Sequence, residues 1–287
     1  MRRPAAPNIM TIDVEDYYQV SAFESVVRFE DWARYESRVE RNTGRLLALL
    51  AAAGVRATFF VLGWVAERHP QLVRDIQAAG HEVASHGYRH RLVYGMTRDE
   101  FREDTARAKA ILEDAAGAAV VGYRAASYSI VRESLWALDV LGELGFQYDS
   151  SIFPVHHDRY GIPGHARFPH RIQGPAGAGL WELPLSTVRL GRLNLPIAGG
   201  GYLRLLPYAV VRWGIRRINE REGQPAIVYV HPWEIDPGQP RLAGPARSVF
   251  RHYVNLATTE GKLGRLLRDH RFEPARDALQ RLATAAA

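Results

Sequence analysis

The chain has 287 residues, 47% of them apolar and 24% charged, with a formal net charge of +6. That balance fits a globular protein with a substantial core, and no apolar run approaches the ~18 residues of a membrane span. There is no cysteine, which excludes disulfides and thiolate chemistry and leaves only His, Asp and Glu to hold a metal.

Lys109 and Lys262 are the only lysines, so nearly all the positive charge is arginine. It is dispersed. No run of like charge and no basic–aromatic repeat occurs, so nucleic acid is not an expected partner. Dispersed arginine suits a polyanionic glycan or an anionic membrane face. Residues 1–8 read as a loose tail with no apolar core of a signal peptide. The expected location is therefore the cytoplasm, with room for peripheral association at the inner face of the membrane. Oligomeric state is not legible.

Ile9 to Val14 reads as a buried strand that ends in acids, Asp13, Glu15 and Asp16. After an aromatic loop, a helix is expected from Asn42 or Thr43, with Leu46, Leu47, Leu49 and Leu50 apolar and Gly54 as its stop. Val55 to Leu62 is the second strand. Pro70 opens a helix to Ala79, with Gly80 after it. His81 to Ser85 is the third strand. Thr97 with Glu100 has the capping-box pattern and starts a helix to about Ala116. Val120 to Tyr123 is a strand, Arg132 to Leu144 a helix and Phe146 to Tyr148 a strand. Alternation with short connections argues a parallel sheet or barrel. From Ser150 the texture turns rich in Gly, Pro and His as far as Gly179. Leu180 to Val188 is then a strand, Gly199-Gly200-Gly201 a tight loop, Pro207 to Glu222 a helix, Ala226 to Val230 a strand, and about Thr259 to Asp269 the last helix. No linker divides the chain.

Asp13, His86, Arg124, Asp149 and His231 each fall at or just after the end of an expected strand. In parallel α/β folds the carboxyl ends of strands carry ligand and catalytic groups. His86 and His90 stand four apart in Ser85-His86-Gly87-Tyr88-Arg89-His90. On a helical turn that spacing puts both imidazoles on one face, where they can share one ion.

Five stretches then occur in order: Thr11-Ile12-Asp13-Val14-Glu15-Asp16, His86-Gly87-Tyr88-Arg89-His90, Tyr123-Arg124-Ala125-Ala126-Ser127, Tyr148-Asp149-Ser150-Ser151 and Tyr229-Val230-His231-Pro232. Over about residues 9–235 this set resembles the NodB-type polysaccharide deacetylases, carbohydrate esterase family 4. Asp13 through Tyr18, Tyr148 through Pro154, Gly199 through Tyr202 and His252-Tyr253 resemble more narrowly a bacterial subgroup associated with exosortase and exopolysaccharide loci. The resemblance implies a distorted (β/α) barrel over residues 9–235, with a C-terminal extension, 236–287, packed on it. It implies a divalent metal, zinc first and cobalt, nickel or iron as alternatives, held by His86, His90 and a carboxylate. That carboxylate is Glu15 or Asp16; an Asp-x-acid spacing favours Glu15 and ligand frequency favours Asp16. Asp13 would be the general base, paired with Arg124. His231, oriented by Asp149, would be the general acid. The oxyanion would rest on the metal and a backbone N–H near Ser127.

The implied reaction removes N-acetyl groups from an N-acetylhexosamine glycan or its lipid-linked precursor. Gly87 stands where the family has Ser or Thr, Ala126 where proline is common, and Tyr229 where a leucine lines the acetyl pocket. Trp181 and Trp233 could stack on sugars, and Tyr17 could wall the cleft. Hydrolysis of a small cyclic or linear amide, or glycan binding without catalysis, are the competing readings.

Overall fold

A computed structural model of the chain describes residues 6–172, 179–197 and 199–286. Residues 1–5 of the expected tail, and 173–178 of the Gly/Pro/His-rich stretch, lie outside them. The first half alternates as expected. β1 (Asn8–Val14) leads to α1 (Val39–Ala52), β2 (Thr58–Val61), α2 (Gly63–Arg68), α3 (Pro70–Ala78) and β3 (Glu82–Ser85). Then come α4 (Arg98–Ala116), β4 (Gly122–Tyr123), α5 (Trp136–Glu143) and β5 (Tyr148–Asp149). The Thr97–Glu100 capping box forms at the start of α4, and Gly117 closes that helix at φ 63°.

The second half departs further from the sequence pattern. The strand expected over Leu180 to Val188 is two strands, β7 (Trp181–Glu182) and β8 (Thr187–Leu190), after a short β6 (His170–Arg171). β8 turns into β9 (Leu193–Pro196) as a separate antiparallel hairpin. The tight loop at Gly199–Gly201 forms and leads into α6 (Gly201–Leu205), α7 (Tyr208–Arg221) and β10 (Ile227–Val230). After α8 (Ala246–Tyr253) and α9 (Leu256–Asp269), the chain adds β11 (Phe272–Glu273) and α10 (Ala275–Ala286). The helix at Thr259 to Asp269 is therefore not the last.

The main sheet runs β10-β1-β2-β3-β4-β5-β7-β6, parallel except for the β6 edge, and curls into an incompletely closed barrel. β11 pairs with the start of β1 at Asn8 and Ile9, ahead of where β2 takes over at Thr11. This is the distorted (β/α) barrel that the resemblance implies, and it agrees with the parallel sheet or barrel argued from the order of elements.

Side chains of a strand alternate between faces, and here the alternation sorts chemistry from packing. Met10, Ile12 and Val14 of β1, Phe59 and Val61 of β2, Val83 of β3 and Val228 and Val230 of β10 join the core beneath the helices. The alternate residues face inward. Ile9, Phe60, Ala84, Tyr148, Trp181, Leu183 and Ile227 fill the barrel's lower end, where Ala275, Ala278 and Leu279 of α10 plug it. Above this layer lies Arg124, fully buried. It donates to Thr11 Oγ1 at 2.8 Å, Asp13 Oδ1 at 2.7 Å and Ser150 Oγ at 2.8 Å, and lies 4.2 Å over the Phe60 ring. A buried guanidinium is tolerated only when so fully partnered.

The same alternation places Asp149. Tyr148 and Ser150 face inward, so Asp149 faces outward, beside Glu182 of β7, which lies between inward Trp181 and Leu183. Burial and the neighbouring Asp149 carboxylate push the Glu182 carboxyl well above its usual range. The folded chain then holds a proton that the unfolded chain releases near the ordinary carboxylate pKa. That contribution to stability is complete below the unfolded pKa and is lost as pH rises through the folded one. Glu182→Gln removes the dependence. Its Tm should gain on wild type as pH is raised from about 5 to about 9, and a pH-independent difference would reject the shared proton.

Candidate metal centre

Val14, Val61 and Ser85 are aligned across β1, β2 and β3. The next residues, Glu15 and His86, therefore leave the sheet at one level, two strands apart. His90 closes the triangle. One ligand atom from each of Glu15, His86 and His90 lies within 4.8 Å of the others, and all three residues are buried.

The two histidines do not share a helical turn. Gly87 and His90 take positive φ, 72° and 52°. The carbonyls of Gly87 and Tyr88 accept the first N–H groups of α2, from Gly63 at 2.8 Å and Trp64 at 3.2 Å. Those donors have no partner inside their own helix, so the loop caps α2 instead of coiling on itself. The imidazole rings still end 5.3 Å apart.

Outer contacts fix both rings. His86 Nδ1 lies 2.8 Å from the Arg124 carbonyl. A carbonyl only accepts, so Nδ1 carries the proton and Nε2 keeps its lone pair. His90 Nδ1 lies 3.3 Å from Ser21 Oγ. Burial lowers the His86 pKa to about 4, against the pull of Asp13, so this imidazole is neutral at neutral pH. Burial works against ionising Glu15, but His90, His231 and His86 outweigh it and hold the carboxylate well below its usual range. A neutral imidazole beside an ionised carboxylate is the state that binds a cation.

Glu15, not Asp16, faces the histidines. The Asp16 carboxylate turns away to cap α1: Oδ2 accepts from Arg38 N at 2.7 Å, Val39 N at 3.1 Å and Ser37 Oγ at 2.9 Å. This also explains why α1 starts at Val39, before Asn42. The cap comes from 22 residues upstream, beyond the reach of a local capping pattern. Asp16→Ala should therefore lower stability by about 1–2 kcal/mol with metal content unchanged, whereas Glu15→Gln should lose the metal. Denaturant melts and elemental analysis separate the two.

Asp13 points inward beside this cluster. Its Oδ1 accepts from Arg124, and its Oδ2 faces Tyr128 Oη at 3.4 Å and His231 Nε2 at 3.9 Å. His231 reaches in from the end of β10, with Nε2 also 3.5 Å from Glu15 Oε1. Its orienting partner is not Asp149. That carboxylate, on the outward face, accepts from Ser151 Oγ at 2.5 Å. Glu234 takes the role. Its Oε2 meets His231 N at 3.0 Å and His231 Nδ1 at 3.1 Å, while Oε1 accepts from Arg204 Nε at 2.7 Å. Burial opposes charge on both partners. Arg204 and His231 nevertheless hold Glu234 down at about 2, and Glu234, Glu15 and Asp13 raise His231 to about 9. Sequence reasoning missed Glu234 and Arg204. The acid three residues after His231 is a capping-box spacing, and it could have pointed to Glu234.

The remaining candidates divide. Tyr229 and Ser127 line one cavity of about 290 Å³ beside the centre. Tyr229 is itself seated by the glycine loop. A Cβ on Gly199 would fall 1.9 Å from the Tyr229 carbonyl oxygen, and one on Gly200 would fall 2.4 Å from its ring. Ser127, held at φ 49°, gives its hydroxyl to Ser21 Oγ rather than to the centre. Trp233 is buried, stacked between His231 and His252 at centroid distances of 5.1 and 4.1 Å, and its Nε1 donates to Glu15 Oε1 at 3.1 Å. It orients the carboxylate and presents no face to a sugar. Tyr17 packs in the core against Tyr18, and Trp181 packs in the barrel's lower end.

The donor set fits a divalent ion. Glu15 Oε2 is buried with no aligned hydrogen bond, yet lies 2.8 Å from His90 Nε2. A buried carboxylate oxygen and an imidazole nitrogen turned on one point are the arrangement that a shared cation takes. Two imidazoles and one carboxylate suit zinc with a position left open, and also suit iron, cobalt or nickel.

Residues 24–148 match the polysaccharide deacetylase family, and residues 150–280 match a domain family of unknown function, DUF3473. The peptidoglycan-N-acetylglucosamine deacetylase of Bacillus cereus is 34% identical over 98 residues, covering 34% of this chain and 36% of that protein. A chitooligosaccharide deacetylase of Sinorhizobium fredii is 36% identical over 99 residues, covering 34% of this chain and 44% of that protein. The chain thus spans less than half the length of these relatives. The crystal structure of a Mycobacterium smegmatis protein described as a polysaccharide deacetylase covers 99% of this chain and 95% of its own, with a TM-score of 0.62 and 22% identity, which shows a common fold. The first match contains His86, His90 and Arg124, and the second contains His231 and Glu234. On these grounds residues 24–148, which carry both histidines of the centre, are similar to the polysaccharide deacetylases over less than half of the chain.

Proposed function

We propose that the chain is a metal-dependent N-deacetylase that removes acetyl groups from an N-acetylhexosamine glycan or its lipid-linked precursor. One observation carries the reading: Glu15, His86 and His90 form a buried ligand set with Asp13 and His231 beside it. The names of the matched relatives support the substrate class.

Held by Glu15, His86 and His90, a divalent metal, zinc by our choice, would supply the Lewis acidity that polarises the acetyl carbonyl and makes a water acidic. Asp13 takes the proton from that water through Oδ2, the oxygen not committed to Arg124. The new C–O bond makes the carbonyl carbon tetrahedral. Arg124, bonded to Oδ1 at 2.7 Å, keeps Asp13 aimed. His231, charged and held by Glu234, gives its proton to the leaving nitrogen as the C–N bond breaks, and acetate and the free amine result. Tyr229 walls the acyl side in place of the family's leucine. The exopolysaccharide-locus subgroup, action at the inner face of the membrane, and the division into a barrel over 9–235 and an extension over 236–287 belong to this proposal.

The test is acetate release by the zinc-loaded protein from a panel of acetylated glycans, set beside turnover of small cyclic and linear amides. Faster turnover of glycans supports the reading. Turnover of the amides alone favours an amidohydrolase on the same fold. A protein that takes up no metal is a glycan-binding module.

A further inference from the structure

The cavity beside the centre is built mostly by the segment that matches the domain family of unknown function. His157, Arg159, Tyr160, Tyr202, Tyr229 and Arg251 all lie within residues 150–280 and line its walls. Its volume, about 290 Å³, is at the lower end for small-molecule sites, about 300–1,000 Å³, and suits one sugar ring. It adjoins the reaction site directly. Tyr229 on its wall lies 5.5 Å from the His231 ring. Ser127, also on its wall, bonds Ser21, which in turn contacts His90.

Its chemistry has two parts. Tyr160 stacks on His157 with centroids 3.8 Å apart, and its hydroxyl lies 3.5 Å from that of Tyr202. This is a rigid aromatic platform with polar tips, suited to the C–H face and hydroxyls of a pyranose. At the mouth stand two half-exposed guanidiniums. Arg159 gives one hydrogen bond to the Ser21 carbonyl at 2.9 Å and reaches Glu24 only at 3.5 Å. Among the described residues the Arg251 guanidinium makes no hydrogen bond, and its ion pair with Asp158 spans 3.7 Å. Asp158 is also shared with Arg247 and His157. Around the mouth, three guanidiniums therefore face two carboxylates. A guanidinium has five donors in a fork that matches a carboxylate or phosphate, and most of those on Arg159 and Arg251 are unused.

We propose that this cavity is a subsite for the sugar next to the one that loses its acetyl group, and that it selects glycans bearing an anionic substituent, a carboxylate or a phosphate. The inference rests on the deacetylase reading. It assigns the second segment of the chain the task of reading the substrate.

Three probes test it: a neutral N-acetylglucosamine oligomer, an oligomer alternating N-acetylglucosamine with a uronic acid, and an N-acetylglucosaminyl diphosphate with a short alkyl chain. Zinc-loaded wild type should favour an anionic probe in kcat/KM, and added salt should erode that preference. Whichever anionic probe is favoured identifies the anion as carboxylate or phosphate. In Arg251→Gln and Arg159→Gln the anionic-to-neutral ratio should fall about tenfold, while Arg251→Lys should keep most of it. Binding of the same probes to Asp13→Asn protein, read by calorimetry, should show the same preference without turnover. Equal affinity of wild type for neutral and anionic probes overturns the inference. So does an equal loss on both in the glutamine variants. Charge-selective binding without acetate release from any probe would uphold the subsite and overturn the deacetylase reading instead.

Discussion

His86→Ala and His90→Ala proteins should each emerge from purification without bound metal and with acetate release down more than about 100-fold. Loss of an outer-shell partner already costs about 10–100-fold in metal affinity or activity, and these residues are ligands in the proposed centre. Each substitution removes one of only three donors, and the cluster has no spare. Among the described residues the neighbouring carboxylates already have partners, Asp13 in Arg124, Asp16 in the start of α1 and Glu234 in Arg204 and His231. A thermal melt gives a readout independent of turnover. Zinc that binds the folded state alone raises stability by RT ln(1 + [L]/Kd), so added zinc should raise the Tm of wild type and leave that of either variant unmoved. Near wild-type activity in either variant would sink the site assignment.

Asp13→Asn is expected to separate metal binding from chemistry. Asparagine fills the same space and keeps an oxygen for Arg124, but it cannot take a proton. Metal content should stay at the wild-type level while kcat falls by about 10²–10⁴-fold, the range for a positioned general base. Stability should fall as well, because the fully buried Arg124 loses its counter-charge; breaking a buried pair costs about 3–5 kcal/mol, and the retained oxygen favours the lower end. Elemental analysis, a denaturant melt and acetate release on one preparation read all three. An Asp13→Asn protein that came out empty of metal would make Asp13 a ligand, and the roles would have to be redrawn.

A parallel sheet or barrel was legible because strands and helices alternate with short connections, and because polar residues recur at strand ends where parallel folds place their chemistry; the ordered motifs of the resemblance chose the barrel. The α4 start was legible because its cap is local, Thr97 to Glu100. What the sequence hid depends on distance or on face. Asp16 caps a helix 22 residues on, and a spacing argument saw only an acid near a ligand position. Asp149 stands at a strand end, as expected, but one residue of register decides whether such a side chain enters the barrel, and here Tyr148 and Ser150 take the inward places. The partner of His231 was nearer than expected, three residues ahead in Glu234. The histidine pair converges as its spacing suggested, though through a loop that caps α2 and not through a helical turn. β11 went unseen because a two-residue strand has no period to read, and α10 because its buried face is mostly alanine, Ala275 and Ala278 beside Leu279.

The seating of β1 also sets a clock. It has β2 on one side and β10 on the other, and Thr11 Oγ1 bonds the Val228 carbonyl 217 residues further along. Ribosomes add about 5–20 residues per second, so a nascent chain holds that edge of β1 open for roughly 10–40 s before its partner emerges. His231 arrives with β10. The chemistry proposed here therefore cannot begin until β10 has docked against β1, and a half-made chain with both histidines in place is still inert.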